Sequence, residues 1–402
     1  GEEDLSDISA GGDEASPVIK MVNLIIYQAI QKRASDIHLE PFEKKVRVRY
    51  RPDGVLKEVM TPPKRMQGAI VSRLKVMSNL DIAERRRTQD GKFQLKVDGR
   101  QIDFRVSILP TVHGEKVVLR ILDSAAISLG LEQLGFTEKA LKDFLWAIDQ
   151  PYGMVLVTGP TGSGKSTTLY SALKAVMSDE DNIVTVEDPV EYQLEGVNQV
   201  PVHPKRGLTF AAALRSILRQ DPDTIMIGEI RDQETIDIAI KAALTGHLVL
   251  STLHTNDAPG TLSRMADMGV DRFLIASATL LISAQRLLKK LCAECKEPVE
   301  VPEKRLIEVG CTKEMLAGKR TIFQPKGCPR CTHGYRGRFA ILETMLIGEE
   351  IRRMVVQGAS SVDVKTKAVA NGMESLRIGG LLNVLSGKTS LEEVLSMTLA
   401  DG

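Results

Sequence analysis

The chain begins on a polar stretch and then passes through two successive rhythms of apolar and polar positions. Residues 1–16 carry six acidic residues, no basic ones and several Gly, Ser and Ala. That is too polar to build a core, and disorder is expected there. The missing initiator Met fits a linker belonging to a longer protein. From Pro17 onward Val18, Met21, Val22, Ile25, Ile26, Ala29 and Ile30 recur at helical spacing, and residues 44–50 then alternate in the manner of a strand. Pro52-Asp53-Gly54 is a turn signal between two such strands. A helix over 67–78 and alternating runs at 92–97 and 101–107 complete a small α+β domain over 17–123. Residues 124–130 are expected to form a hinge.

From 131 to 402 helical and strand patterns alternate, which predicts an α/β domain with a mostly parallel sheet covered by helices on both faces. The apolar run 154–157 precedes GPTGSGKST, and residues 169–176 follow with helical spacing. Further strands are read at 182–186, 224–227 and 248–250, and Ser390-Leu-Glu-Glu393 is a capping box before a final helix.

Size and charge narrow the classes. A chain of 402 residues exceeds the usual single core, so two or three domains are expected. Lys and Arg at 53 balance Asp and Glu at 52, giving no electrostatic case for a direct nucleic-acid partner. No apolar run approaches 18 residues and no signal peptide is seen, so the chain reads as cytoplasmic.

The candidate chemistry gathers at strand ends. Strand, glycine-rich turn and helix give the pattern G-x-x-x-x-G-K-[ST] the context of a phosphate-binding loop, comprising Gly159, Thr161, Gly162, Ser163, Gly164, Lys165, Ser166 and Thr167. The glycines let backbone N–H groups crowd round phosphate oxygens. Lys165 supplies a mobile charge, and Ser166 a hydroxyl for Mg²⁺. Glu187, in the box TVEDPVEY, is the candidate for orienting a water. Glu229 stands where a metal-supporting acid should follow a strand; Gly228 replaces the Asp usual before it, so metal contact by Glu229 is expected to be indirect. His247 and His254 are candidate γ-phosphate sensors, with a structural histidine the competing reading for His247. Arg105 and Arg120 read from pattern alone as solvent-facing strand arginines, and His38 as a hydrogen-bonding structural residue. Cys292, Cys295, Cys328 and Cys331 form two C-x-x-C knuckles within residues 290–340, a set that selects structural Zn²⁺ over a redox pair. Cys311 is left as a small core residue.

Together GPTGSGKST, TVEDPVEY, RQDPDTIMIGEIRD and TGHLVLSTLHTND resemble the secretion ATPases of the type II secretion and type IV pilus class, over residues from about Pro17 to the C-terminus. SDIHLEP and DFRVSILPTVHGEKVVLRIL resemble the second N-terminal domain of that class. The resemblance implies a RecA-like P-loop ATPase domain preceded by a PAS-like α+β domain. It implies a homohexamer using ATP and Mg²⁺, peripheral at the inner membrane and working with a platform protein there. It also turns Arg105 and Arg120 into candidate arginine fingers, with Glu187, Glu229 and His254 beside them as catalytic candidates. The knuckles and the spacing in CTHGYRGR favour pilus assembly (extension) over retraction, and over type II secretion, whose ATPase drives pseudopilus assembly and protein export. A DNA-translocating or conjugation ATPase and a nucleotide-dependent scaffold are the alternatives from other classes; DNA-stimulated turnover would mark the first and binding without turnover the second.

Overall fold

The computed structural model describes residues 16–123, 129–317 and 321–401. The expected disordered start, save Ser16, and most of the expected hinge lie outside them. The chain divides into two compact units between Ser128 and Leu129.

In the first unit the described elements are α1 (Pro17–Gln31), β1 (Ala34–Pro41), β2 (Val46–Pro52), β3 (Lys57–Met60), α2 (Gln67–Met77), β4 (Gln89–Val97), β5 (Arg100–Thr111) and β6 (Gly114–Asp123). Ser16 caps α1 by accepting from the Ile19 N–H, and Pro17 follows where its missing donor costs nothing. The strands form one sheet in the order β3-β2-β1-β6-β5-β4, with every neighbour antiparallel. Asp53 and Gly54 both adopt positive φ, which lets the β2–β3 turn match the twist of its strands. Val22, Ile25, Ile26 and Ala29 of α1 pack with Ile37, Val48, Tyr50 and Phe104 of the sheet. The alternate positions carry charge. Glu40 accepts from Arg47 and Arg49, and Arg120 donates to Asp36.

The second unit runs α3 (Glu138–Ile148), β7 (Gly153–Thr158), α4 (Lys165–Val176), β8 (Ile183–Glu187), β9 (Asn198–Pro201), α5 (Phe210–Ile217), β10 (Thr224–Ile227), α6 (Gln233–Leu244), β11 (Leu248–Leu253), α7 (Ala258–Asp267), α8 (Arg272–Ala278) and β12 (Thr279–Leu291). After β12 come β13 (Glu297–Glu300), α9 (Glu303–Glu308), α10 (Lys313–Leu316), β14 (Thr321–Gln324), β15 (Tyr335–Leu346), α11 (Glu349–Val356), α12 (Ser361–Ala370), α13 (Leu376–Leu385) and α14 (Leu391–Met397).

Seven strands assemble in the order β15-β12-β7-β11-β10-β8-β9. The central strands β7, β8, β10 and β11 are buried at every position, as a parallel sheet covered on both faces requires. The expected parallel-type sheet needs one correction: β15 runs antiparallel to β12, so the sheet is mixed. β15 also carries Glu343, which is buried and accepts from the N–H groups of Ala258 and Leu376, at the starts of α7 and α13. One carboxylate thus satisfies two helix N-termini. Of the capping box at α14 only half forms: Ser390 accepts from Glu393 N–H, but the Glu393 carboxylate turns to the backbone N–H and side chain of Lys289.

Candidate active site

The carboxyl ends of β7, β8, β10 and β11 converge as parallel neighbours, and the glycine loop leaves β7 at that edge. This is the side of an open α/β sheet on which ligands bind. A cleft of about 790 Å³ lined by Trp146, Met177, Asp149 and Asp181 opens at the other end, beside Thr224 and Leu248 where β10 and β11 begin, and has no part in the loop.

Gly159, Gly162 and Gly164 all take positive φ. At Gly159 a Cβ would stand 2.7 Å from Ser163 Oγ and 2.5 Å from the Gln285 carbonyl oxygen, so no side chain fits there. These glycines give the loop the open main chain that a phosphate cradle needs, and its fit to a nucleotide rests on this backbone. Lys165, the first residue of α4, donates to the carbonyls of Gly159 and Pro160 at 2.9 and 3.0 Å. Burial lowers the Lys165 pKa, partly countered by the charge of Glu229, and Arg286 lowers it further.

The two acids at the sheet edge differ in engagement. Glu187, the last residue of β8, is 4 % exposed. It accepts from Tyr170 Oη, from Thr185 Oγ1 at 2.7 Å and from Gln199 Nε2 at 3.1 Å. Burial pushes the Tyr170 phenol far up, and the adjacent Glu187 charge adds to it, so Tyr170 is the donor in that bond. Glu229 follows β10 and is more open; it meets Arg231 and, at 3.4 Å, His254 Nε2. Gly228 before it has a packing reason: a Cβ would lie 3.3 Å from Glu187 Cα and from the Val186 oxygen, leaving little room for an aspartate.

The histidines part company. His254 joins Glu229, whereas His247 Nδ1 faces the Ala242 carbonyl at the end of α6, 3.1 Å away. Asp232 and Asp257, from the same motif blocks, cap α6 and α7. In the first unit Arg105 on β5 stands directly opposite Arg120 on β6. His38 is half-buried, and burial followed by Lys116 lowers its pKa.

Four residues near the loop were missed by the sequence reading: Tyr170, Gln199, Gln285 and Arg286. Gln285 Nε2 donates to the Ser163 carbonyl, and Thr168 Oγ1 donates to Gln285 Oε1, both at 2.7 Å. Arg286 donates to the carbonyls of Gln285 and Asn256. No local pattern announces any of them.

The cysteine knuckles lie at the end of β12 and just before β15. Sγ atoms of Cys292, Cys295, Cys328 and Cys331 all fall within 4.8 Å of one another. Cys292–Cys328 is 4.0 Å, Cys295–Cys331 3.7 Å and Cys328–Cys331 3.6 Å. Four thiolates round Zn²⁺ with bonds of about 2.3 Å would stand about 3.8 Å apart, so the spacing fits that ion. Cys311 is a buried member of the apolar core.

This fold with this loop defines a P-loop ATPase. The chain belongs to the Type II/IV secretion system protein family, whose model matches residues 12–396. It is 54 % identical over 402 residues to the "Type IV pilus assembly ATPase PilB" of Myxococcus xanthus, covering 99 % of this chain and 71 % of that protein. To the "Type II secretion system protein E" of Dickeya dadantii it is 48 % identical over 394 residues, covering 98 % and 78 %. Among solved structures, that of "the Pilus Retraction Motor PilT and Bound ADP" matches at 25 % identity and a TM-score of 0.65, covering 96 % of this chain and 97 % of that one.

Proposed function

We propose that this chain is the subunit of a cytoplasmic homohexameric motor that hydrolyses ATP to drive type IV pilus assembly at the inner membrane, against a platform protein. The observation that carries the reading is the pairing of the Gly159–Thr167 loop with the tetracysteine knuckles in a chain 54 % identical to a pilus assembly ATPase. A type II secretion role is the second reading, favoured by the 48 % identity to a protein of that name.

In this proposal the second unit is a RecA-like ATPase domain with an inserted zinc module, and the first a PAS-like domain. Backbone amides of the loop hold the β and γ phosphates, and Lys165 and the Ser166 hydroxyl lie at that end of the nucleotide and its Mg²⁺. Mg²⁺, when held at the Ser166 hydroxyl, would offset phosphate charge. Glu229 would support Mg²⁺ or the attacking water, and His254 would respond to the γ-phosphate through its contact with Glu229. Glu187 orients the water, which requires it to release one of its three donors. Arg105 and Arg120 add charge to the transferring phosphoryl group, and Zn²⁺ on the four thiolates is structural.

Steady-state phosphate release tests the chemistry. The parent should turn over ATP equally with and without DNA, and Glu229→Gln should bind ATP yet hydrolyse it about 10²- to 10³-fold more slowly. DNA stimulation would point to a translocase, and binding without turnover to a scaffold. Exchange of this chain for the matching segment in a host's pilus assembly ATPase should restore surface pili; restored protein export in a secretion ATPase instead would favour the second reading.

A further inference from the structure

We propose that Gln285 is the positioning residue that holds the phosphate loop in its binding shape, an inference that rests on the nucleotide reading above. Gln285 sits on β12, far along the chain from the loop, and is 2 % exposed. Its amide is used at both ends, by the Ser163 carbonyl and the Thr168 hydroxyl. One side chain therefore joins the loop to the first turn of α4.

The bond to Ser163 has a consequence for the next residue. The Ser163 carbonyl and the Gly164 N–H belong to one trans peptide plane and point in opposite directions. Fixing the carbonyl on Gln285 fixes the Gly164 amide facing away from β12, and a flip of that plane would withdraw a phosphate donor. Contact is close on two more sides: a Cβ at Gly164 would meet Gln285 Nε2 at 2.8 Å, and one at Gly159 would meet the Gln285 carbonyl at 2.5 Å. That carbonyl is in turn held by Arg286, which also grips Asn256 in the histidine box.

A buried amide satisfied for stability alone would, when removed, cost melting temperature and leave the nucleotide affinity of the folded protein unchanged. A loop brace acts on ground and transition states alike, so its loss raises KM more than it lowers kcat. The full chain is measured with ADP binding, ATP kinetics and thermal unfolding. Gln285→Met keeps the volume and removes both hydrogen bonds; it should raise the Kd for ADP and the KM for ATP about tenfold, with a smaller change in kcat. Thr168→Ser should bind ADP like the parent, and Thr168→Val about threefold more weakly. A folded Gln285→Met with parental ADP affinity overturns the proposal. Should Gln285→Met fail to fold, equal affinities for Thr168→Val and Thr168→Ser overturn it instead. Lys165→Ala is run beside them: if it binds ADP as the parent does, the nucleotide reading of the loop falls, whereas lost binding there with parental binding in the Gln285 and Thr168 variants sinks the brace alone.

Discussion

Glu187 and Glu229 illustrate how two carboxylates at one sheet edge acquire different surroundings. A carboxylate that already accepts three hydrogen bonds in a buried site has little capacity for a water unless a donor leaves. Glu187 is in that position, with Tyr170 as the donor whose proton burial holds most firmly. On the proposed mechanism Glu187→Gln should keep ADP binding and lose about 10²-fold or more in turnover, because a neutral amide neither orients nor polarises water. Tyr170→Phe should fall between that variant and the parent, since Thr185 and Gln199 still hold the carboxylate. Parental kcat in Glu187→Gln would make the residue a buried tie between β8 and α4 and nothing more.

At the scale of elements, what was legible was local. The glycine loop and β10 announce themselves because strand and turn signals lie within a few residues of each other, and α1 because its apolar residues recur at helical spacing from Pro17 onward. Gln285 could not be seen from its own neighbourhood, since its partner Ser163 is 122 positions away and reaches it only through the pairing of β12 with β7. The antiparallel β15 was missed for the same reason: its direction is set by the long excursion through the cysteine knuckles. Gly228, an omission when read against the usual acid pair, has its reason in the close approach of β8.

The outer face of the first sheet yields a pH prediction. Burial alone would raise the Glu40 pKa, but hydrogen bonds and charge from Arg49 and Arg47 outweigh it and bring it down to about 2 from an ordinary 4.5. A depressed acid stabilises the fold above its unfolded pKa and loses that contribution as pH falls through the folded one. Thermal unfolding of the parent should therefore lose about 2 kcal/mol between pH 4.5 and 2 that Glu40→Gln does not lose. Superimposable acid limbs for the two proteins would contradict this. The knuckles yield a metal prediction: elemental analysis should find about one Zn²⁺ per chain, and Cys328→Ser should lower the melting temperature with ADP affinity nearly intact. Freshly prepared reduced protein without zinc would remove the ion from the account.

For the whole molecule the question is whether charge borne on the first unit enters the chemistry of the second. Arg105 and Arg120 stand opposite each other on β5 and β6, and like charges so placed oppose the pairing of the strands. Arg120 answers part of that repulsion through Asp36, at 3.2 Å, yet its side chain stays 60 % exposed. Two guanidinium groups opposite each other on one strand pair are an arrangement that suits an anionic ligand, and a transferring phosphoryl group is such a ligand. Arg105→Ala or Arg120→Ala should then retain ADP binding and subunit assembly and lose most turnover, by about 10³-fold where the arginine acts as a finger. Lysine should rescue poorly, because a point charge lacks the guanidinium fork. Mixing Lys165→Ala with Arg105→Ala subunits distinguishes service to the same chain from service to a neighbour: activity recovered on mixing indicates the neighbour, and none indicates the same chain. If both single variants hydrolyse ATP at the parental rate while Lys165→Ala does not, the two side chains are strand-surface arginines, and the charge at the phosphoryl group comes from other residues.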